Sequence, residues 1–283
     1  MTKKESISII GTGHLGGAFV RGLIKSGYPA NLITLSNRNP NKSEQLAKEL
    51  GVLSAKTNVQ AVQNTEIIVL AVKPQFMQEV CKEIAPKIQN KQPMIISLVG
   101  VINTDSIARW LGDKDLAITR VMTNTPSEFC KGTSALFANS STIPEQKLLI
   151  ERLFNNVGYT FWVDQESMID TLTAPIGCAP AYIFLFLEAL QNAAISRGIP
   201  EELAEKISLE SVFGAAELAK KSGRSFAHLR ESVTTPQGVT AYSLEKLSMD
   251  NFFDIFKKIY TDAEERIEQI SQTLPTKSNL CKK

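Results

Sequence analysis

Two stretches of this sequence hold residue types whose spacing can do chemistry. In "SISIIGTGHLGGAFVRGL", Gly11, Gly13 and Gly16 follow an apolar strand and open a helix. There the first glycine permits a tight turn, the second lets the backbone approach a pyrophosphate, and the third lets the helix sit close to the strand. The helix start contributes N–H donors and the positive end of a dipole. A strand-to-helix turn that holds nothing is the competing reading. The second stretch is "SVTTPQGVTAYSLEKL", Ser232 to Leu247, where helicity breaks and restarts. Pro236 stops one helix, Gly238 allows an unusual turn, and the N–H groups of Gly238, Val239 and Thr240 open the next helix. Such a start suits a carboxylate, with the Thr240 hydroxyl beside it. Thr240 as a plain helix cap is the alternative.

The second strand of the N-terminal part bears on which dinucleotide would bind. An acidic residue about twenty positions past the glycines would hold a ribose 2′-hydroxyl and favour NAD. Here the strand ends "LSNRNPNK", with Ser36, Asn37, Arg38 and Lys42 and no carboxylate before Glu44. A guanidinium fork and small hydrogen-bonding side chains suit a 2′-phosphate, so NADPH is expected, with NADH as the alternative. "AVKPQ" (Ala71 to Gln75) and "TNTP" (Thr123 to Pro126) end two more strands on the carboxyl edge of the sheet, where ligands of open α/β sheets lie. Lys73 there is either a catalytic amine or a side chain reaching from a strand end to water. Asn124 is either an amide donor and acceptor for a ligand or a turn cap.

Reduction of a carbonyl needs a proton shuttle. The long apolar stretch Ala181 to Ile195 contains no lysine or histidine, and its one charged side chain, Glu188, reads as a buried acid bonded within the helix bundle, with proton donation as the alternative. An imine asks for less. Protonated at nitrogen it is already electrophilic, and a site of hydroxyls and backbone amides suffices if it orients the ring.

These residues need elements to place them. Ser6 to Ile10, Leu32 to Ser36, Glu66 to Val72, Met94 to Gly100 and Leu116 to Met122 read as strands alternating with helices, and "TSALFA" and "TFWV" as two more. That alternation indicates a parallel sheet covered by helices on both faces, a Rossmann-type α/β domain over residues 1–163. Residues 164–283 read as all-helical, with prolines 175, 180, 200 and 236 dividing the helices and the last ten residues, "LPTKSNLCKK", expected to fray.

Composition sets the outer limits. The 283 residues are 43% hydrophobic and 21% charged, and 31 basic against 29 acidic residues leave a net charge of +2. That balance argues against a nucleic-acid or membrane partner. "APAYIFLFLEALQNAAI" carries Glu188, Gln191 and Asn192, so it reads as a buried helix rather than a membrane span. Two histidines make a histidine-based metal site unexpected. Cys81, Cys130, Cys178 and Cys281 are far apart and no signal-peptide pattern opens the chain, so free thiols in a cytoplasmic protein are expected.

From "IIGTGHLGGAFVRGL" through "AVKPQ", "TNTP" and "APAY" to "LRESVTTPQGVTAYSLEKL", the chain resembles the pyrroline-5-carboxylate reductase family. The resemblance implies NAD(P)H-dependent reduction of a cyclic imine to L-proline by a helical homodimer, often assembled further, with each active site completed across subunits. It places Gly11, Thr12, Gly13, His14 and Leu15 on the pyrophosphate, and Ser36, Asn37, Arg38 and Asn58 at the adenosine end. Ala71, Val72, Lys73, Pro74 and Asn124 would border the nicotinamide and its ribose. Gly238, Val239 and Thr240 would hold the substrate carboxylate, the Thr240 hydroxyl the ring nitrogen, and Val233 the ring. Two segments depart from the family. Ala174, Pro175, Ile176, Cys178 and Ala179 stand where it is rich in serine and glycine, and Gln237 stands where it has glycine. Larger residues there would narrow the pocket, and Gln237 must take the backbone angles of a glycine. An NADPH-binding regulator without catalysis and a reductase of a related cyclic imine are the competing functions.

Overall fold

The computed structural model describes residues 4–89 and 91–273. Cys281 and the expected frayed end lie outside the described residues. Two compact units divide the chain, one ending at Cys178 and resuming at Ala263, the other running Ala179–Asp262.

In the first unit, strands β1 (Ile7–Ile10), β2 (Ile33–Ser36), β3 (Leu53–Ser54), β4 (Ile67–Leu70), β5 (Met94–Ser97), β6 (Ile118–Met122), β7 (Gly132–Ala138) and β8 (Gly158–Trp162) form one sheet in the order β3-β2-β1-β4-β5-β6-β7-β8. Its helices are α1 (His14–Lys25), α2 (Pro40–Leu50), α3 (Asn58–Ala61), α4 (Met77–Ile88), α5 (Thr104–Leu111), α6 (Pro144–Asn155) and α7 (Ser167–Thr171). Two features differ from the expected strand series. Strand β3 is too short to show any periodicity. And β7 runs antiparallel to β6, although the other pairs are parallel. The link over residues 123–131 is too short for the dozen or more residues that a parallel crossover takes.

The sheet is covered on both faces, as its unbroken apolar strands require. Ile7 and Ile9 of β1, with Ile67 and Val69 of β4, point into a core that includes Phe19 and Leu23 of α1 and Phe154 of α6. Their neighbours Ile10, Ile68 and Leu70 point the other way, against Ile84 of α4 and Ile107 of α5. Parallel register aligns the strand ends, pairing Ile10 with Ser36 and with Leu70, and Leu70 with Ser97. All four therefore end on one edge. Local sequence sets the helix limits. For α2, Asn39 caps the start, Pro40 takes the first position, and Gly51 leaves in the left-handed region at φ 70°.

The second unit holds α8 (Ala179–Ile195), α9 (Glu201–Ser222), α10 (Phe226–Ser232), α11 (Val239–Met249) and the start of α12 (Phe252–Thr273). The expectation of a buried α8 is not met in the single chain: α8 has no buried residue, Glu188 is exposed, and Phe184 and Leu185 are 62% and 66% exposed. The cause is a shortage of cover. In α9 only Ala204 and Ser208 are buried, and α10, α11 and α12 bury none. By length and composition Ser167–Ile195 would also suffice to cross a membrane.

One close backbone contact in the first unit is directly testable. A Cβ on Gly22 of α1 would lie 2.1 Å from the carbonyl oxygen of Ser127, in the turn that connects β6 to β7. Backbone cannot yield there as a side chain would, so Gly22→Ala is expected to lower unfolding free energy by about 3 kcal/mol. The urea midpoint at unchanged m-value is the measurement.

Candidate active site

The carboxyl edge of the sheet is shaped by three glycines with three different surroundings. Gly11 leaves β1 at φ +100°, and a Cβ on it would meet the Ala71 carbonyl oxygen at 2.5 Å. A Cβ on Gly16 would lie 2.1 Å from the Gly11 carbonyl oxygen, so α1 packs directly on the loop that precedes it. Around Gly13 a Cβ would meet nothing within 4 Å. Gly13 is also the N-cap of α1, and no side chain caps that helix. The first N–H groups of α1 thus have no intrahelical acceptor, and the open space at Gly13 leaves room beside them for an anionic group.

A cavity of about 600 Å³ runs along this edge. Gly11, Thr12, Gly13, Asn37, Arg38, Asn58, Ala71, Val72 and Lys73 line it together. The Asn37 amide donates to Thr12 Oγ1 at 2.7 Å, and the Arg38 guanidinium lies over the Phe76 ring, 4.4 Å from its centroid. Stacking holds the guanidinium flat while leaving its N–H edge free for an acceptor. Ser36 is different. It is fully buried, and its hydroxyl donates to Asn58 Oδ1 at 2.8 Å, while Asn58 Nδ2 donates to Glu83 Oε2 at 2.7 Å. Ser36 therefore orients Asn58 from behind the cavity wall.

Sequence reasoning missed part of that wall. Phe76, Glu79, Val80 and Glu83 line the cavity, as do Lys56 and Thr57, beside the Lys42 that the sequence had singled out. The first four recur at i, i+3, i+4 and i+7, so helical spacing directly after "AVKP" was the available signal. Lys56 also lies near Glu44, whose carboxyl is held below its ordinary range, first by a hydrogen bond from Lys48, then by the charges of Lys48 and Lys56. Arg38, Lys42, Lys56 and Lys73 outnumber Glu79 and Glu83, so the cavity is net cationic.

The remaining candidates fall elsewhere. His14 and Leu15 form the first turn of α1, and Pro74 opens the turn that leads to α4. Asn124 is buried at the end of β6, where its Oδ1 accepts from the Thr133 N–H at 2.9 Å and its Nδ2 donates to the Ile176 carbonyl at 3.1 Å.

In the second unit, α11 starts at Val239 with Gly238 as N-cap and no side-chain cap, so Thr240 is not the capping residue. The preceding helix ends at Ser232, well before Pro236. Gly238 has ordinary angles, φ −78°, and the left-handed position is Gln237 at φ +60°. Gln237 thus adopts glycine-like angles, as its place in the Pro-Gln-Gly turn demands. The Gly238 N–H donates to the Thr235 carbonyl at 2.9 Å, and the N–H groups of Val239 and Thr240, in the first turn of the helix, have no intrahelical acceptor. Val233 and Val239 are 61% and 86% exposed in the single chain.

Comparison with known proteins agrees with this layout. Residues 6–100 match a family model described as "NADP oxidoreductase coenzyme F420-dependent", and residues 166–270 match "Pyrroline-5-carboxylate reductase dimerisation". A pyrroline-5-carboxylate reductase of Pasteurella multocida is 36% identical over 272 residues, spanning 95% of this chain and 98% of that one. The chain belongs to the pyrroline-5-carboxylate reductase family. Among solved structures of the family, that from Coxiella burnetii is 37% identical, with a TM-score of 0.87 over 96% of this chain and all (100%) of the other. One from Plasmodium falciparum, solved with NADP bound, is 24% identical and shares the fold at a TM-score of 0.84, covering 96% of this chain and 100% of that one.

The cationic wall has a measurable consequence. Loss of one charge-assisted contact to a phosphate is worth about 1.5 kcal/mol or more. Arg38→Ala is therefore expected to raise the NADPH dissociation constant about tenfold and to leave that of NADH nearly unchanged, as read by fluorescence titration with both dinucleotides.

Proposed function

We propose that this chain reduces 1-pyrroline-5-carboxylate to L-proline with NADPH, the last step of proline biosynthesis. The observation that carries the reading is family membership over nearly the whole chain, so that both the cofactor half and the helical half have counterparts in the relatives. It favours catalysis over a cofactor-binding regulator.

The residues present fit the dinucleotide. The three-glycine loop and the uncapped start of α1 offer N–H donors to the pyrophosphate, with Gly11 to Leu15 as its cradle. Asn37, Arg38 and Asn58, the last set by Ser36, would hold the adenosine end, and Arg38 its 2′-phosphate. Ala71 to Pro74 and Asn124 would border the nicotinamide. The NADP bound in the Plasmodium relative supports the same cofactor. When bound, NADPH supplies the hydride that the imine carbon accepts.

The protein's own share is orientation. The N–H groups of Val239 and Thr240 would take the substrate carboxylate, with Gly238 allowing close approach, and Val233 would rest against the ring. The Thr240 hydroxyl would hydrogen-bond the ring nitrogen and keep the C=N group in one orientation. Protonation at that nitrogen makes the ring electrophilic, and water can supply the proton.

The apolar faces of the second unit fit a homodimer that can assemble further, and the dimerisation model over residues 166–270 supports a homo-oligomer. A cytoplasmic setting accords with Cys81, Cys130 and Cys178 as free thiols.

Purified protein given NADPH and 1-pyrroline-5-carboxylate should oxidise the cofactor and form proline in equal amounts. A six-membered cyclic imine should turn over more slowly, and a faster rate on it would move the assignment to that substrate. Thr240→Ala is expected to lower kcat about a hundredfold with NADPH affinity within twofold of wild type; unchanged rates would remove Thr240 from the mechanism.

A further inference from the structure

Strand β6 and the two residues after it place Arg120, Met122 and Asn124 at every second position, and all three meet the same downstream segment. Arg120 is 1% exposed, and its guanidinium donates to Glu166 Oε1 at 3.1 Å, to Asp170 Oδ1 at 2.8 Å and to the Gly100 carbonyl. Met122 packs in a small cluster with Ile169 and Ile176. A Cβ on Gly100 or Gly177 would come within 3.1 Å of the Met122 methyl carbon or sulfur, so Met122 would have to give by a few tenths of an ångström to admit a side chain at either position. Asn124 closes the row by donating to the Ile176 carbonyl. Glu166 is itself fixed by Thr104, whose N–H and hydroxyl donate to its two oxygens at 2.7 and 3.0 Å. One strand thereby sets the register of residues 166–178 along their whole length.

The segment so held ends in an unusual conformation. Thr173–Cys178 form a wide, π-helical turn that contains Pro175. Turns of this kind are rare, are found often at functional sites, and persist where the surroundings over-determine them. This one lies at the carboxyl ends of β5 and β6. A dinucleotide with its pyrophosphate on α1 and its adenosine end over β2 must send its other half across the switch point between β1 and β4, toward those same strand ends.

We propose that Arg120 is a positioning residue for hydride transfer, acting through Glu166 and Asp170 to hold the Thr173–Cys178 turn as a wall of the nicotinamide site. The proposal rests on the reductase reading above. Arg120 touches neither reactant. Its effect is on the depth and tilt of the ring beside the turn, and misplacement by about 1 Å costs about a hundredfold in rate. A lysine retains the charge but cannot span Gly100, Glu166 and Asp170 at once, because it lacks the planar fork.

The test is single-turnover reduction by Arg120→Lys and Asp170→Asn, with each rate divided by the number of NADPH sites found by titration. Arg120→Lys should bind NADPH within twofold of wild type, lose about ten- to a hundredfold in rate per bound cofactor, and show a larger deuterium isotope effect with C4-deuterated NADPH. Asp170→Asn should show the same pattern more weakly. A purely structural role would lower the number of sites and leave the rate per site and the isotope effect untouched. That result in Arg120→Lys overturns the proposal, and if Arg120→Lys does not fold, the same result in Asp170→Asn overturns it. A wild-type protein that binds NADPH yet reduces no cyclic imine would instead remove the functional reading.

Discussion

The contact between Gly16 and the carbonyl of Gly11 governs the cofactor half of this protein. A single added carbon at residue 16 would sit 2.1 Å from that oxygen, so the loop and helix exist in this arrangement only with hydrogen there. Because α1 packs so tightly on its own entry loop, its uncapped start is held at the end of β1. Parallel register then brings the ends of β1, β2, β4 and β5 level with it. A binding edge follows from packing before any ligand is considered.

A second constraint acts at the other end of the same edge. Arg120 is among the largest fully buried side chains, and burial of a guanidinium is tolerable only because carboxylates and a carbonyl meet it. The arrangement contributes little net stability by itself, since desolvation offsets much of the attraction. Its worth is geometric: residues 166–178 stay with the sheet, and the first unit runs on to Cys178 before the chain passes to the second.

The cofactor half was legible in the sequence where residue type alone constrains geometry. Glycines, the Pro74 turn and the missing carboxylate after β2 each have one main physical meaning. Phe76, Glu79, Val80 and Glu83 were less visible, because their meaning comes from a helix phase that is plain only once the start of α4 is known. Ser36 and Asn124 were legible as polar groups at strand ends, but not as struts, because their partners Asn58 and Ile176 are 22 and 52 residues away. The helical half was legible as helices and misread in burial. Periodicity marks an apolar face without saying what covers it, and α8 in the single chain is uncovered. Gln237 shows the converse: the turn imposes left-handed angles on a residue that does not prefer them, and the neighbouring proline and glycine announced it.

The central claim is that a hydride passes from NADPH on the sheet edge to the C=N carbon of a small cyclic acid. Reduction of 1-pyrroline-5-carboxylate with NADPH deuterated at C4 on the transferred face, in ordinary water, tests it directly by proton and deuterium NMR of the product. The expected result is proline with one deuterium, all of it on C5. Proline without deuterium at C5, or with it partly lost to solvent, would contradict direct transfer and the site built around it.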